Sequence, residues 1–237
     1  MRLAVLADVH GNLPALEAVL ADVEQQNVDG IIVAGDFVDR PQPLETVRIL
    51  RALGCWMIRG NRENYLLAYD RGDAPELWHV STQWAGLRWL YRQLDREALD
   101  FMASLPEQRV ITADGTAPIR VVHGSPKSVT ELLLPDRDPV AMAQYEQAGL
   151  LGLGYSQLSL DAALAGFDEP VLVCGHSHIR WSQEQDGRLV LNPGSVGAPI
   201  NGDVRAQYAV LTWRRGQWQA EHRAIPYSLD RIRAAYR

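Results

Sequence analysis

Cysteine is scarce: Cys55 and Cys174 are the only two among 237 residues. Both sit in apolar runs, which reads as buried thiols in a reducing, cytoplasmic setting and excludes a disulfide-framed secreted fold. No apolar run approaches the ~20 residues of a membrane span; GIIVAG and PVLVCG are strand-length. The N-terminus MRLAVLADVH runs into Asp8 and His10 with no small-residue cleavage site, so no signal peptide is expected. A basic excess is missing too. Lys and Arg total 23 against 29 Asp and Glu, a net charge of −6 that suits a nucleic-acid backbone poorly. Repeats, low-complexity tracts and linkers are lacking, so one domain over residues 1–237 is expected.

What is present is an alternation. LAVLAD (3–8) is followed by a helical stretch from Leu13 to Gln26, with Asn12 as cap and Pro14 in the first turn. GIIVAGD (30–36) precedes a helix over about 43–53, and CWMIRGN (55–61) is a third strand. The β-α-β-α-β order predicts parallel strands with right-handed crossovers. From Arg62 to about residue 106 apolar residues recur at three and four, which predicts inserted helices. Strands resume at 109–112 and 119–124, and a second irregular and helical insertion fills 125–168, with Pro126, Pro135 and Pro139 as breakers. Strands follow at 170–178, 188–195, 208–213 and 217–225, the last two joined by an Arg215-Gly216 turn, and a short helix follows Ser228.

The informative feature is what ends each strand. The sequences Asp8-Val9-His10, Gly35-Asp36 with Asp39 behind it, Gly60-Asn61, His123-Gly124, Gly175-His176-Ser177-His178 and Asn192-Pro193-Gly194-Ser195 all stand at carboxyl ends. In α/β sheets ligands bind beyond those ends. One edge thus receives Asp8, Asp36, Asn61 and four of the six histidines. Imidazole with carboxylate ligates first-row divalent metals. These seven groups are too many for one tetrahedral ion and suit two metals if a carboxylate bridges them. Gly35, Gly60, Gly124 and Gly175 allow close approach beside such a pair. Taken singly, most of these read as turns, a cap or a core histidine, and Gly175-His176-Ser177-His178 is moderately specific; five such clusters at the same end of successive strands are not independent accidents.

These motifs, in this order over residues 8–178, resemble the calcineurin-like metallophosphoesterase superfamily, and NPGSVGAP (192–199) resembles its small phosphodiesterase and diadenosine-tetraphosphatase-like branch. The resemblance implies an α/β fold: a two-sheet β-sandwich flanked by helices, with the helical insertions about 62–106 and 125–168. It implies two divalent metal ions, manganese first among Mn, Fe, Zn, Ni, Co and Mg. Asp8, His10, Asp36 and His178 would hold one; Asp36, Asn61, His123 and His176 the other, with Asp36 as bridge. Asp39 would orient a ligand histidine or loop. Relatives often carry His after the motif asparagine; Arg62 stands here, a permanently protonated group that can grip a phosphoryl oxygen or pair with an acidic neighbour but is ill suited to act as a general acid.

Asn61, Arg62, Asp39 and His123 are therefore the residues expected to take part in catalysis, and Arg62, Arg40 and Arg180 those expected to touch substrate. Charge bookkeeping favours an anionic phosphate ester, attacked in line by a hydroxide bridging metals roughly 3.5–4 Å apart. A small phosphate ester or nucleotide is the expected partner, dinucleoside polyphosphates foremost. A membrane partner is excluded, nucleic acid is disfavoured, and the inserted helices offer a homodimer face. A Ser/Thr-type protein phosphatase and a non-catalytic scaffold on the same fold are the competing readings. Trp78, His79, Trp84, Trp89 and Tyr91 are read mainly as packing the insertion onto the sandwich, with one or two near a substrate cleft.

Overall fold

The computed structural model describes residues 1–135, 139–147 and 156–237. Strand β1 (Arg2–Leu6) leads into helix α1 (Leu13–Gln25), whose first turn is closed by the Asn12 side chain accepting from the Ala15 N–H. Strand β2 (Gly30–Ala34), helix α2 (Pro43–Ala52) and strand β3 (Trp56–Ile58) follow. Strands β1, β2 and β3 pair in parallel, as the β-α-β-α-β order requires.

The first inserted stretch is helical throughout. Helix α3 (Asn61–Arg71) starts directly at the third strand-end motif, and α4 (Glu76–Val80), α5 (Ala85–Gln93) and α6 (Arg96–Ser104) follow. Leu87, Leu90, Leu99 and Met102 turn inward from α5 and α6. The segment is thus more than an insertion, because its first helix presents Asn61 to the site.

Strands β4 (Gln108–Ile111) and β5 (Ile119–Val122) form a hairpin. The second stretch contains β6 (Leu132–Leu133), α7 (Pro139–Gln147), β7 (Gln157–Leu158) and α8 (Leu160–Leu164); its other residues, 136–138 and 148–155, lie outside the described chain. Pro139, expected as a breaker, opens α7, where a missing N–H costs nothing.

Strands β8 (Val171–Val173), β9 (Trp181–Gln185) and β10 (Arg188–Asn192) follow. Strand β9 carries no apolar alternation to betray it: its inward residues include Gln183 and Gln185, satisfied by one another and by Asp161. Strands β11 (Ala206–Arg214) and β12 (Gln217–Ile225) are joined by the left-handed pair Arg215 and Gly216, and α9 (Leu229–Ala235) closes the described chain.

The two main sheets run β12-β11-β1-β2-β3 and β4-β5-β8-β10-β9. Side-chain alternation explains their stacking. Leu3, Val5, Ile32 and Ala34 of one sheet meet Ile119, Val121, Val171 and Leu191 of the other. The opposite faces, Ala4 and Leu6 in one sheet and Val122 and Leu172 in the other, are covered by helices and by the second inserted stretch. Both sheets are mixed, and their parallel strands β1, β2, β3, β5, β8 and β10 deliver the polar strand ends to one edge. The expected sandwich flanked by helices is the observed architecture.

Candidate metal centre

The turns beyond the strands bend sharply. Asp8, His10, Asp36, His176 and His178 have φ values of 54°, 47°, 50°, 66° and 58°. Left-handed backbone costs a side-chain-bearing residue of order 1 kcal/mol or more. Only three other described non-glycine residues adopt it, so the strain is concentrated on the residues expected to bind metal.

The geometry of the close approach explains two glycines. A Cβ on Gly60 would lie 2.3 Å from Asp36 Oδ1, and one on Gly35, at φ 86°, would lie 2.8 Å from His123 Nδ1. Neither position can carry a side chain without displacing a predicted ligand.

Asp8 and Asp36 are buried in the floor. Asp8 Oδ2 accepts the His176 backbone N–H at 3.0 Å, while buried Oδ1 has no hydrogen-bond partner among the described residues. That orphaned oxygen lies 3.4 Å from His178 Nε2, 3.8 Å from His10 Nε2 and 3.9 Å from His123 Nε2. His10 Nε2 and His178 Nε2 are themselves 3.0 Å apart. Asp36 presents Oδ2 to His10 at 3.8 Å and Oδ1 to His123 at 3.4 Å, and Asn61 Oδ1 reaches the same His123 nitrogen at 3.1 Å. The donors form two groups, Asp8 with His10 and His178, and Asp36 with His123 and His176, each spanning no more than 4.8 Å.

Backbone carbonyls set the rings. His123 Nδ1 donates to Ala34 O at 2.8 Å, His178 Nδ1 to Ala198 O at 2.7 Å and His176 Nε2 to Thr130 O at 3.2 Å. With those tautomers assigned, the opposite nitrogens of His123 and His178 turn bare lone pairs toward Asp8 and Asp36. Lone pairs facing a carboxylate need a proton or a cation between them.

The electrostatics say the same. Burial alone would raise the Asp8 and Asp36 carboxyls, but the surrounding histidines hold both well below the usual carboxylate range. Burial works against charge on His10 and His123, yet the carboxylates beside them carry these rings up to about 10 and about 9. His176, buried and next to His123, is pushed down to about 4. The pocket therefore attracts positive charge strongly, and the donor set fits two divalent ions with the rings neutral.

A family model for the calcineurin-like phosphoesterase superfamily domain matches residues 1–216. The chain belongs to the calcineurin-like phosphoesterase superfamily. A metallophosphoesterase from Sphaerobacter thermophilus shares 27% identity with it, with a TM-score of 0.72 and coverage of 99% of this chain and 92% of that one. The protein PH1004 of Pyrococcus horikoshii shares the fold at 19% identity and a TM-score of 0.74, covering 98% and 91%. In sequence, the uncharacterized protein MJ0912 of Methanocaldococcus jannaschii is 28% identical over 215 residues, 88% of this chain and 82% of its own.

Around these donors lies a cavity of about 510 Å³. Arg62 and Arg40 line it, and Arg62 forms an ion pair with Asp39, which sits 3.7 Å from His10 Nδ1. Of the two expectations for Arg62, the acidic partner exists, but on the segment between β2 and α2 rather than on its own helix. Arg62 Nε is buried with no partner among the described residues. Arg180 is not among the residues lining this cavity; its side chain lies toward Asp203, at 3.9 Å. The aromatics of the insertion do pack: Trp78 stacks on Trp84 with Tyr65 edge-on to both, against the helix-side core.

Some contributors were given no role from sequence. Glu63, fully buried, accepts the backbone N–H groups of Asp36, Phe37, Val38 and Gly60. Burial and the neighbouring Asp36 push its carboxyl up to about 7. Its signal was the helix-start spacing Gly60-Asn61-Arg62-Glu63, of which only the Glu-to-Gly60 half of a capping box can operate. Ser195 donates to the Asp8 carbonyl at 2.7 Å, and Asn192 donates to Gly175 O at 2.8 Å. The NPGS motif thus braces the ligand loops from behind. Tyr227, Ile232 and Tyr236 of the C-terminal segment wall the cavity, with no motif to announce them.

Proposed function

We propose that the chain is a two-metal phosphoesterase that hydrolyses small phosphate esters, as a phosphodiesterase or a dinucleoside polyphosphate hydrolase, the latter foremost. The observation that carries this reading is Asp36, one oxygen turned to each donor group, beside the orphaned Asp8 oxygen. Asp8, His10, Asp36 and His178 would hold one ion, and Asp36, Asn61, His123 and His176 the other. Two divalent cations supply charge neutralisation for a phosphoryl group and a nucleophilic water at neutral pH.

The chain's own residues supply the rest. Arg62, entering from the start of α3, faces the cavity with a fixed positive charge and binds a non-bridging phosphoryl oxygen. Asp39 holds that guanidinium and sits beside His10, so the anion grip and one ligand ring share a support. Glu63 holds the Asp36 turn rigid. The cavity accommodates a small ester together with part of its leaving group.

The test is elemental analysis of the purified chain together with hydrolysis of a chromogenic phosphodiester with added manganese. A panel of dinucleoside polyphosphates, cyclic nucleotides and phosphopeptides would follow. Metal-dependent turnover, abolished by chelation and restored by manganese, is expected. Two bound metals with no turnover on any phosphate ester would favour the scaffold reading instead.

A further inference from the structure

A second cavity, of about 460 Å³, adjoins the first. Arg40 and Tyr236 line both, so the two spaces share a wall. The second is completed by Trp89 and Arg92 of α5, by Gly86 at the start of that helix, and by Pro41. Arg40 reaches toward it: a Cβ on Gly86 would stand 3.9 Å from the Arg40 guanidinium carbon.

Three features distinguish this pocket from ordinary surface. Neither Arg40 nor Arg92 has a carboxylate partner among the described residues, although acidic residues outnumber basic ones in the chain and other arginines of α2, α3 and α6 are paired: Arg48 with Asp95, Arg51 with Glu97, Arg62 with Asp39 and Arg96 with Asp70. Trp89 offers a half-buried ring and Tyr236 a largely exposed one. Tyr236 is tied down at the shared wall, its hydroxyl donating to the Arg40 carbonyl at 3.1 Å, while Arg231 anchors α9 to Glu17 at 2.6 Å.

We infer that this adjoining pocket is a binding subsite for a nucleoside phosphate group, with Arg40 and Arg92 receiving phosphate oxygens and Trp89 and Tyr236 flanking the base. Two guanidinium groups supply forked donors for an anion, and two aromatic faces supply the stacking surface. The inference rests on the phosphoesterase reading for its use in catalysis: it assigns to the substrate a second phosphate and a ring, placed beyond Arg40 from the scissile bond.

The probe is adenosine diphosphate, titrated calorimetrically into the full metal-loaded chain and into Arg92→Ala, Arg92→Lys and Trp89→Phe variants, with inorganic phosphate as a parallel ligand. Arg92 lines only the second pocket, so binding at the metals is common to every sample. Arg92→Ala is expected to weaken adenosine diphosphate about tenfold or more, Arg92→Lys to restore part of the loss, and inorganic phosphate to bind all variants alike. Thermal melts matching wild type establish that the variants fold. Equal affinity of wild type and Arg92→Ala for adenosine diphosphate would overturn the subsite, whatever hydrolysis shows. Selective loss in Arg92→Ala, in a protein that hydrolyses no phosphate ester, would leave the subsite standing and overturn the hydrolase reading.

Discussion

The Glu63 carboxylate accepts the backbone N–H of Asp36 at 2.9 Å, so a buried acid from α3 holds the peptide of the residue expected to bridge two metals. The same carboxylate takes the Phe37, Val38 and Gly60 N–H groups, four donors in all. Replacing it with Gln puts an amide donor against N–H groups. Glu63→Gln is expected to destabilise the metal-free protein by about 2–6 kcal/mol, the cost of leaving two buried donors unpaired. It should also weaken metal binding about 10–100-fold. Urea denaturation and metal titration read the two effects, and unchanged values for both would show that the Glu63 cradle is not what holds Asp36.

Asp36→Ala removes both carboxylate oxygens at once, one facing His10 and the other His123. Loss of both metals and of all turnover is expected, with the fold kept. Gly60→Ala should mimic it in part, because the new Cβ would lie 2.3 Å from Asp36 Oδ1. Metal content by elemental analysis decides; an Asp36→Ala protein holding two metals would defeat the bridging assignment.

Arg62 faces the cavity with a buried Nε that has no described partner. Arg62→Ala is expected to lower kcat by about 10²–10³, in the range for removing a charge-stabilising donor. Metal content should be unchanged, and Arg62→Lys should recover part of the loss. A fall in metal content equal to the fall in rate would instead assign Arg62 to supporting His10 through Asp39.

Ile232 of the C-terminal helix and Tyr236 just after it line the cavity, yet that helix has no buried residue of its own. Deleting residues 229–237 should therefore leave fold and metal content intact. It should raise KM for a nucleotide-bearing diester by about 3–10-fold, the scale of one or two lost aromatic contacts. Steady-state kinetics on the truncated chain checks this, and an unchanged KM would show that α9 does not contact substrate.

Away from the metals, Asp22 accepts from Arg223 Nε at 2.8 Å and from the Tyr208 hydroxyl. Arg223 holds its carboxyl below the usual range, against the effect of burial, and Tyr208 adds to the lowering. A depressed folded-state pKa contributes stability that is complete above the unfolded value near 3.9 and is lost as pH falls through the folded value. Wild type should exceed Asp22→Asn by about 1–3 kcal/mol at neutral pH, and the gap should close in acid. Urea midpoints of the two metal-free proteins across pH 7 to about 2.5 measure it; a gap independent of pH would refute the ion pair as its source.

Much was legible because it is local. Period 2 and period 3.6 placed most of the strands and helices, and strand-end clusters such as Asp8-Val9-His10 and Gly175-His176-Ser177-His178 named the donor set, since side chains at parallel strand ends share an edge whatever the loops do. Strand β9 escaped because its buried residues include glutamines that pay for burial by bonding to each other and to Asp161. The direction of Arg180 was not legible because a long side chain next to a motif can turn either way, and here it lies toward Asp203.

Residue types and their order along the chain thus determined the sandwich, the edge that carries chemistry and the candidate ligands. Tertiary packing alone decided which carbonyl sets each imidazole, which acid pairs with Arg62, and that Tyr227, Ile232 and Tyr236 close the cavity. Those outcomes depend on contacts between segments as far apart as 215 residues, and no local pattern of hydrophobicity encodes where such segments meet.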